Sequence, residues 1–224
     1  MKVAVVYGQK HQGNTYKVAQ LLLSRLDCRK EDLKEFWVNG MGQCVGCYQC
    51  ILHDEKLCPH RNQTEPIITA IQEAEVVIFA SPNYCFGMTG QMKSFCDHMA
   101  YRWMVHRPYD MRDKIGIAIS STAGAGAPTV AKEIRKQFSW WSIGRTYLLP
   151  FTVWAGSWDE IEAKRMRKLE KRVSALARKV NRTAGHSKPC LKTRFLFFLM
   201  KRMHLKASWN EMERKYWEEQ FIRK

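Results

Sequence analysis

Residues 2–15 constrain the fold of this 224-residue chain more than any other stretch. Lys2-Val3-Ala4-Val5-Val6-Tyr7 is an apolar, β-branched run. Gly8-Gln9-Lys10-His11-Gln12-Gly13-Asn14-Thr15 follows, and then Val18, Leu21, Leu22 and Leu26 recur at helical spacing. A buried strand that stops at glycine and turns into a helix aims the free N–H groups of the helix start outward. The helix dipole favours negative charge at that point. The spacing Gly8-x4-Gly13-Asn14-Thr15 nearly matches a nucleotide P-loop, with Asn14 where the phosphate-gripping lysine would stand. Without that lysine the loop suits a monophosphate better than a triphosphate. The plainer reading, a strand-to-helix turn capped by Asn14, uses the same residues.

The rest of the chain repeats this alternation. Strands are expected at 2–7, 33–38, 75–81, 115–120 and 145–151, and helices at 14–26, 64–74, 88–102, 127–140 and 158–182. Five strand–helix units in succession read as an α/β fold, a parallel sheet with helices on both faces. Right-handed crossovers make it doubly wound, with a ligand site at the carboxyl ends of the strands. Residues 1–184 form this domain in our reading. The linker-like stretch 183–190 leads into a basic, aromatic-rich helical tail at 185–224.

If a monophosphate sits above the first strand, the loops after strands three and four should be unusual, and they are. Ser81-Pro82-Asn83-Tyr84-Cys85-Phe86-Gly87-Met88-Thr89-Gly90 combines a proline, aromatics and two glycines. Ser120-Ser121-Thr122-Ala123-Gly124-Ala125-Gly126 is a run of small residues that lets backbone approach a flat ring.

On these residues the chain resembles the flavodoxin-like NAD(P)H-dependent FMN reductases and, within them, the iron–sulfur flavoproteins. The resemblance covers roughly residues 1–155 and rests on Gly13-Asn14-Thr15, on Ser81-Pro82-x-Tyr84 with Met88-Thr89-Gly90-x-x-Lys93, and on Gly124 and Gly126. It implies a five-stranded sheet of order 2-1-3-4-5, bound FMN, and NAD(P)H as electron donor. It also implies that Gln9, Lys10, His11, Gly13, Asn14 and Thr15 hold the FMN phosphate. Pro82, Asn83, Tyr84, Phe86, Gly87 and Met88 would border the isoalloxazine, and Ser121, Thr122, Ala123, Gly124 and Gly126 would close over it. The family commonly has Ser after its first Gly where this chain has Gln9, a loss that Lys10, His11 and Thr15 could make up.

Cys44-Val-Gly-Cys47-Tyr-Gln-Cys50-x7-Cys58 follows the second strand. Three thiols two residues apart, with a fourth to close the coordination, are the compact spacing of iron–sulfur clusters. Zinc sites more often use two separated C-x2-C pairs. A 4Fe–4S cluster, free or redox-active thiols, and zinc are the three readings of this segment. A cluster relays single electrons while FMN takes two from hydride, which gives a physical reason to pair them. Cys96, beside Phe95 and Met99 on a helix, reads as core.

The formal charge of +16 is uneven, with 19 Lys/Arg against 8 Asp/Glu in residues 151–224. Most of it reads as solvated helix face. The long helix is expected to be capped by Ser157 and to turn Ile161, Met166, Leu169, Val173, Leu176 and Val180 to the sheet. Leu191 to Lys206 is a basic amphipathic segment with three phenylalanines. It suits packing on another subunit, as in a homodimer or homotetramer, covering its own flavin site, or peripheral contact with a membrane. Ser208-Trp209-Asn210-Glu211 reads as a capping box that opens a last helix with Tyr216, Trp217 and Phe221. No export signal, membrane span or nucleic-acid-binding motif is legible. We therefore expect a cytoplasmic oxidoreductase that passes electrons to a small-molecule acceptor, with no nucleic-acid partner. The alternative is a non-enzymatic carrier exchanging electrons with an acidic, ferredoxin-like protein.

Overall fold

The structure is a computed structural model that describes residues 1–104, 110–206 and 210–221. Five parallel strands, β1 (Val3–Tyr7), β2 (Leu33–Trp37), β3 (Val76–Ala80), β4 (Ile115–Thr122) and β5 (Arg145–Thr152), lie in the order β2-β1-β3-β4-β5. This is the expected topology. Every residue of β1 and β3 is buried, because strands in the middle of a parallel sheet are covered on both faces and must be apolar throughout. β2 stands at an edge and tolerates Lys34 and Glu35.

Side-chain alternation along the strands divides the core into two layers. Val3, Val5, Ile78 and Ile117 pack against α1 (Asn14–Leu23) and α7 (Ala163–Thr183), through residues such as Leu22, Leu169 and Val173. Ala4, Val6, Val77 and Phe79 face the other way, onto α3 (Arg61–Glu73), α4 (Gly90–His98) and α6 (Ala127–Trp140). Phe79 is ringed there by Phe95, Phe138 and Trp141. Cys96 is buried in this layer, as its helical context implies.

Most element ends move by up to three residues, as where α1 ends at Leu23 and α3 starts at Arg61, and three differences from expectation have a structural cause. The helix expected over 88–102 is two, α4 and α5 (Ala100–Met104). The His98 ring bonds to Gly42 O at 2.6 Å, and the break lets Tyr101 and Arg102 turn inward, where Arg102 donates to Trp141 O at 3.0 Å. The long helix begins at Ala163 rather than near Ser157, because the Glu160 carboxylate accepts from the N–H groups of Gly156 and Ser157 and closes a turn first. The expected capping box falls partly on Ser208 and Trp209, outside the described residues. Asn210 caps α9 (Glu211–Phe221), its Oδ1 accepting from Glu213 N at 3.0 Å.

The tail docks on the domain. Thr193 of α8 (Leu191–Lys206) donates to Ile143 O, and Cys190 N donates to Gly144 O, both at the edge where β5 begins. Phe197, Met200 and the fully buried Trp217 form a small core, and the Arg112 guanidinium lies 3.7 Å from the Phe197 ring centroid. Asn210 Nδ2 donates to Ile51 O in α2 (Gln49–Leu52), directly after Cys50. The tail is therefore not a lid over the carboxyl ends of the strands. It braces the opposite edge and the cysteine loop. Its outer side leaves Leu191, Phe195, Phe198, Leu199 and Met203 exposed, so α8 is apolar on both faces. No helix among the described residues is long and apolar enough to cross a membrane.

Candidate functional site

The carboxyl ends of the strands enclose a cavity of about 550 Å³. Of the residues expected there, Gln9, His11, Gly13, Asn14, Thr15, Pro82, Asn83, Tyr84, Ser121, Thr122 and Ala123 line it. Lys10, Phe86, Gly87, Met88, Gly124 and Gly126 stand outside its wall, for separate reasons. Met88 packs against the core, and its N–H donates to Glu133. Gly87 pairs its backbone with Tyr84 to close the 84–87 turn, which leaves Phe86 exposed at a φ of 62°. Gly126, at a φ of 101°, caps α6, and its missing side chain leaves room for the Asn83 amide. Lys10 donates its N–H to Gln9 Oε1 at the rim.

The loops are tied to one another before any ligand arrives. Thr15 Oγ1 and Ser121 Oγ share a buried hydrogen bond of 2.6 Å between the first loop and the fourth. Asn83 Nδ2 donates to Ala125 O at 2.8 Å and to Thr122 Oγ1 at 3.3 Å. Thr89 donates to Gly8 O at 2.7 Å and caps α4 through Met92 N, so it acts as a structural joint. A Cβ on Gly8 would sit 2.6 Å from Thr89 Oγ1 and 2.9 Å from Met92 Cβ, which explains the glycine that ends β1.

Two features of the cavity await a partner. The N-cap of α1 is Gly13, which offers no side-chain cap, so the first N–H groups of the helix are open to an anion. Asn14, read as a cap in the plainer interpretation, is instead the first helical residue. Asn83 Oδ1 is buried and has no hydrogen-bond partner among the described residues, although its amide nitrogen has two. A buried acceptor left unmatched costs about 1–3 kcal/mol, which a donor on a bound ring would recover. A helix N-terminus for a phosphate and a lone acceptor for a ring N–H fit FMN.

The wall also contains residues the sequence reading missed. Gly156, Ser157 and Trp158 follow β5 and line the cavity, with Lys17 Nζ 5.9 Å from the Trp158 ring. The rule that ligands sit beyond strand ends applied to this loop as to the others. Assigning 158 onward to a helix concealed it. Tyr7 is another omission, as are Tyr16, Lys17 and Ala80. The Tyr7 hydroxyl donates to Glu35 at 2.6 Å and accepts from Gln20 at 3.0 Å, and its ring stacks on Trp37. Burial, reinforced by the Glu35 carboxylate, holds the Tyr7 phenol well above its ordinary pKa.

The cysteines converge separately. Cys44, Cys47, Cys50 and Cys58 line one small pocket with His60 and His98. Left-handed backbone at Gly40, Gly46 and Tyr48 curls the loop that carries the exposed Cys44 and Cys47 and the partly buried Cys50. The His98 Nδ1 lies 3.8 Å from Cys58 Sγ, and its Nε2 meets Gly42 O, a carbonyl acceptor that fixes the ring. Cys58 Sγ and one ring nitrogen each of His60 and His98 lie within 4.8 Å of one another. Among the described residues no three of the four cysteines gather that closely. Burial, with the neighbouring thiols adding to it, pushes the Cys50 thiol up to about 11, and burial raises Cys58 as well. Four thiols from one loop, spread around a pocket, fit the donor set of a multi-iron cluster, whereas the atoms gathered closely enough for a single ion are the Cys58 sulfur and one ring nitrogen each of His60 and His98, a set that zinc accepts.

Comparison with known proteins bears on the family and the fold. Residues 1–159 match the family model described as NADPH-dependent FMN reductase. An iron–sulfur flavoprotein of Archaeoglobus fulgidus is 27% identical over 176 residues, 77% of this chain and 78% of the relative. An iron–sulfur flavoprotein of Methanocaldococcus jannaschii is 25% identical over 149 residues, covering 62% and 72% of the two chains. Among solved structures, an FMN-dependent NADH-azoreductase of Bacillus anthracis in complex with FMN superposes with a TM-score of 0.60 at 10% identity, covering 81% of this chain and all of that one. That likeness is one of fold.

Proposed function

The chain belongs to the NADPH-dependent FMN reductase family, and from that premise we propose that it is an FMN-dependent oxidoreductase that takes hydride from NAD(P)H and passes electrons to a small acceptor such as a quinone or a flavin. FMN supplies the redox chemistry when bound, accepting a hydride and releasing its electrons one or two at a time. The chain's residues bind and orient it. The N–H groups at the start of α1 hold the phosphate, with Thr15 and Ser121 fixed beneath by their shared bond. Asn83 Oδ1 takes the ring N–H, and Tyr84, tethered by Gln9 through a 3.2 Å bond to its hydroxyl, borders the ring. No side-chain acid or base is assigned a catalytic role. The observation that carries this reading is the pairing, on the wall of one cavity, of an uncapped helix start with a buried acceptor unmatched among the described residues.

The four-cysteine pocket favours a second feature, a 4Fe–4S cluster held by Cys44, Cys47, Cys50 and Cys58. With it the protein could deliver single electrons to an acidic, ferredoxin-like carrier, and the surplus of basic residues suits such a partner. The tail's exposed apolar face suits a second copy of the chain, as in a homodimer or homotetramer.

Anaerobic purification with an absorbance spectrum and an iron assay on one sample tests both. Flavin bands bleached by NAD(P)H support the reductase, and iron at about four per chain supports the cluster. A protein that binds no flavin after FMN is added refutes the reductase reading.

A further inference from the structure

A second cleft, of about 320 Å³, lies beside the flavin cavity at the free edge of β5. Its walls are Pro128 at the start of α6, Thr152 and Trp154 after β5, and Arg165, Lys168 and Arg172 of α7. The two sites share a partition. Val153 N donates to Thr122 O and Trp154 N donates to Ala123 O, each at 2.9 Å, so the same short segment forms part of the cleft and braces the loop that lines the flavin cavity.

Its composition is specific. Trp154 is held at a φ of 53°, a conformation a bulky residue adopts only under constraint, and 63% of it is exposed. An indole pinned open to solvent offers a flat stacking face. Arg165 already lies 5.8 Å from that ring. Arg172 is half-buried and donates to Pro150 O at 2.8 Å. Among the described residues neither it nor Lys168 has a carboxylate within ion-pair distance. Removing a guanidinium from water without a counter-ion is costly, and burial lowers its pKa accordingly. Arg165 is paired with Glu162 at 3.6 Å, so the cleft presents two cations without matching anions among the described residues, Lys168 and Arg172, next to an aromatic platform. An anionic group attached to a flat ring would complete it.

We infer that this cleft binds the phosphorylated adenosine end of NADPH, with adenine on Trp154 and the 2′-phosphate between Lys168 and Arg172. This rests on the hydride-transfer reading above, because adjacency to the flavin loop is what singles out a nicotinamide dinucleotide among nucleotides. It makes NADPH the preferred donor, since the adenosine of NADH carries a neutral hydroxyl where these cations need a charge.

Titration calorimetry of the flavin-loaded protein with adenosine 2′,5′-bisphosphate and with 5′-AMP provides the first test. The bisphosphate should bind at least tenfold more tightly. Lys168→Glu and Trp154→Gly should each abolish that advantage, whereas Lys192→Glu, the same charge change on α8, should not. Glycine suits the left-handed φ at 154, so Trp154→Gly removes the indole without straining the turn. In anaerobic steady-state assays the loss should fall on KM for NADPH rather than kcat. Equal binding of the two nucleotides by the parent protein, or unchanged bisphosphate binding in both variants, overturns the inference. If NADPH bleaches the flavin as efficiently in the variants as in the parent, the cleft assignment fails and the reductase reading stands. If neither coenzyme bleaches the flavin while the bisphosphate still binds through Trp154 and Lys168, the hydride reading fails and the nucleotide cleft stands.

Discussion

Replacing Asn83 with alanine separates the ring end of the flavin site from the phosphate end. The Asn83 side chain spans the space that Gly126 leaves free, donates to Ala125 O and Thr122 Oγ1, and has an Oδ1 that is unmatched among the described residues and that we assign to the flavin ring. Asn83→Ala removes one protein–ring hydrogen bond, worth about 0.5–1.5 kcal/mol, and loosens a loop held by two more. Part of the loop cost falls equally on the free protein, so the expected loss in binding is about 1–2 kcal/mol, or roughly 5- to 30-fold in Kd. Fluorescence-quenching titrations of the apoprotein with FMN and with riboflavin, which lacks the phosphate, provide the assay. The substitution should weaken both ligands by the same factor. Thr15→Val, which breaks the buried bond to Ser121 beneath the helix start, should weaken FMN and leave riboflavin unchanged. If Asn83→Ala weakened FMN alone, the assignment of the unmatched oxygen to the ring would be wrong.

Further tests concern the rest of the chain. Cys50→Ser, or Cys58→Ser, should reduce iron from about four per chain to near zero in anaerobically prepared protein while flavin content holds; iron retained in both variants excludes the four-cysteine cluster. His204 is buried against Trp217, and burial pushes its imidazole down to about 4 although the Glu213 carboxylate lies 3.8 Å away. A folded pKa below the unfolded value means that His204 contributes stability above about pH 6.5 that is lost as pH falls toward 4. Urea unfolding should show a loss of about 2 kcal/mol between pH 7 and pH 5 that His204→Phe lacks, and parallel pH profiles would refute it. Phe195→Glu with Phe198→Glu on the outer face of α8 should turn a dimer or tetramer into monomer in sedimentation velocity. A parent protein that is monomeric at micromolar concentration would instead leave anionic vesicles as the next surface to try.

What the sequence determined by itself was set by local and periodic physics. Continuous apolar runs at β1 and β3 demand burial on both faces. Their alternation with helical patterns demands parallel pairing, so a doubly wound sheet and the loops after strands one, three and four were legible, while the strand order came from the resemblance to a known family. The C-x2-C-x2-C spacing likewise announced a shared pocket before its backbone was known. Other features depended on contacts that periodicity does not register, one of them local and the rest between residues far apart in the chain. The first turn of the long helix was pre-empted by Glu160, which satisfies the N–H groups of Gly156 and Ser157 and leaves Trp158 in the cavity wall. The helix expected over 88–102 breaks after His98, whose ring meets Gly42 and Cys58, residues brought there by a loop more than forty positions away in the case of Gly42. The resemblance put Asn83 beside the ring, but only the fold showed its nitrogen paired and its oxygen unmatched among the described residues. Propensity and periodicity report what a segment prefers within reach of a few residues. Which polar atoms end buried, paired or open is decided only when distant loops meet, and that is where the binding chemistry of this protein lies.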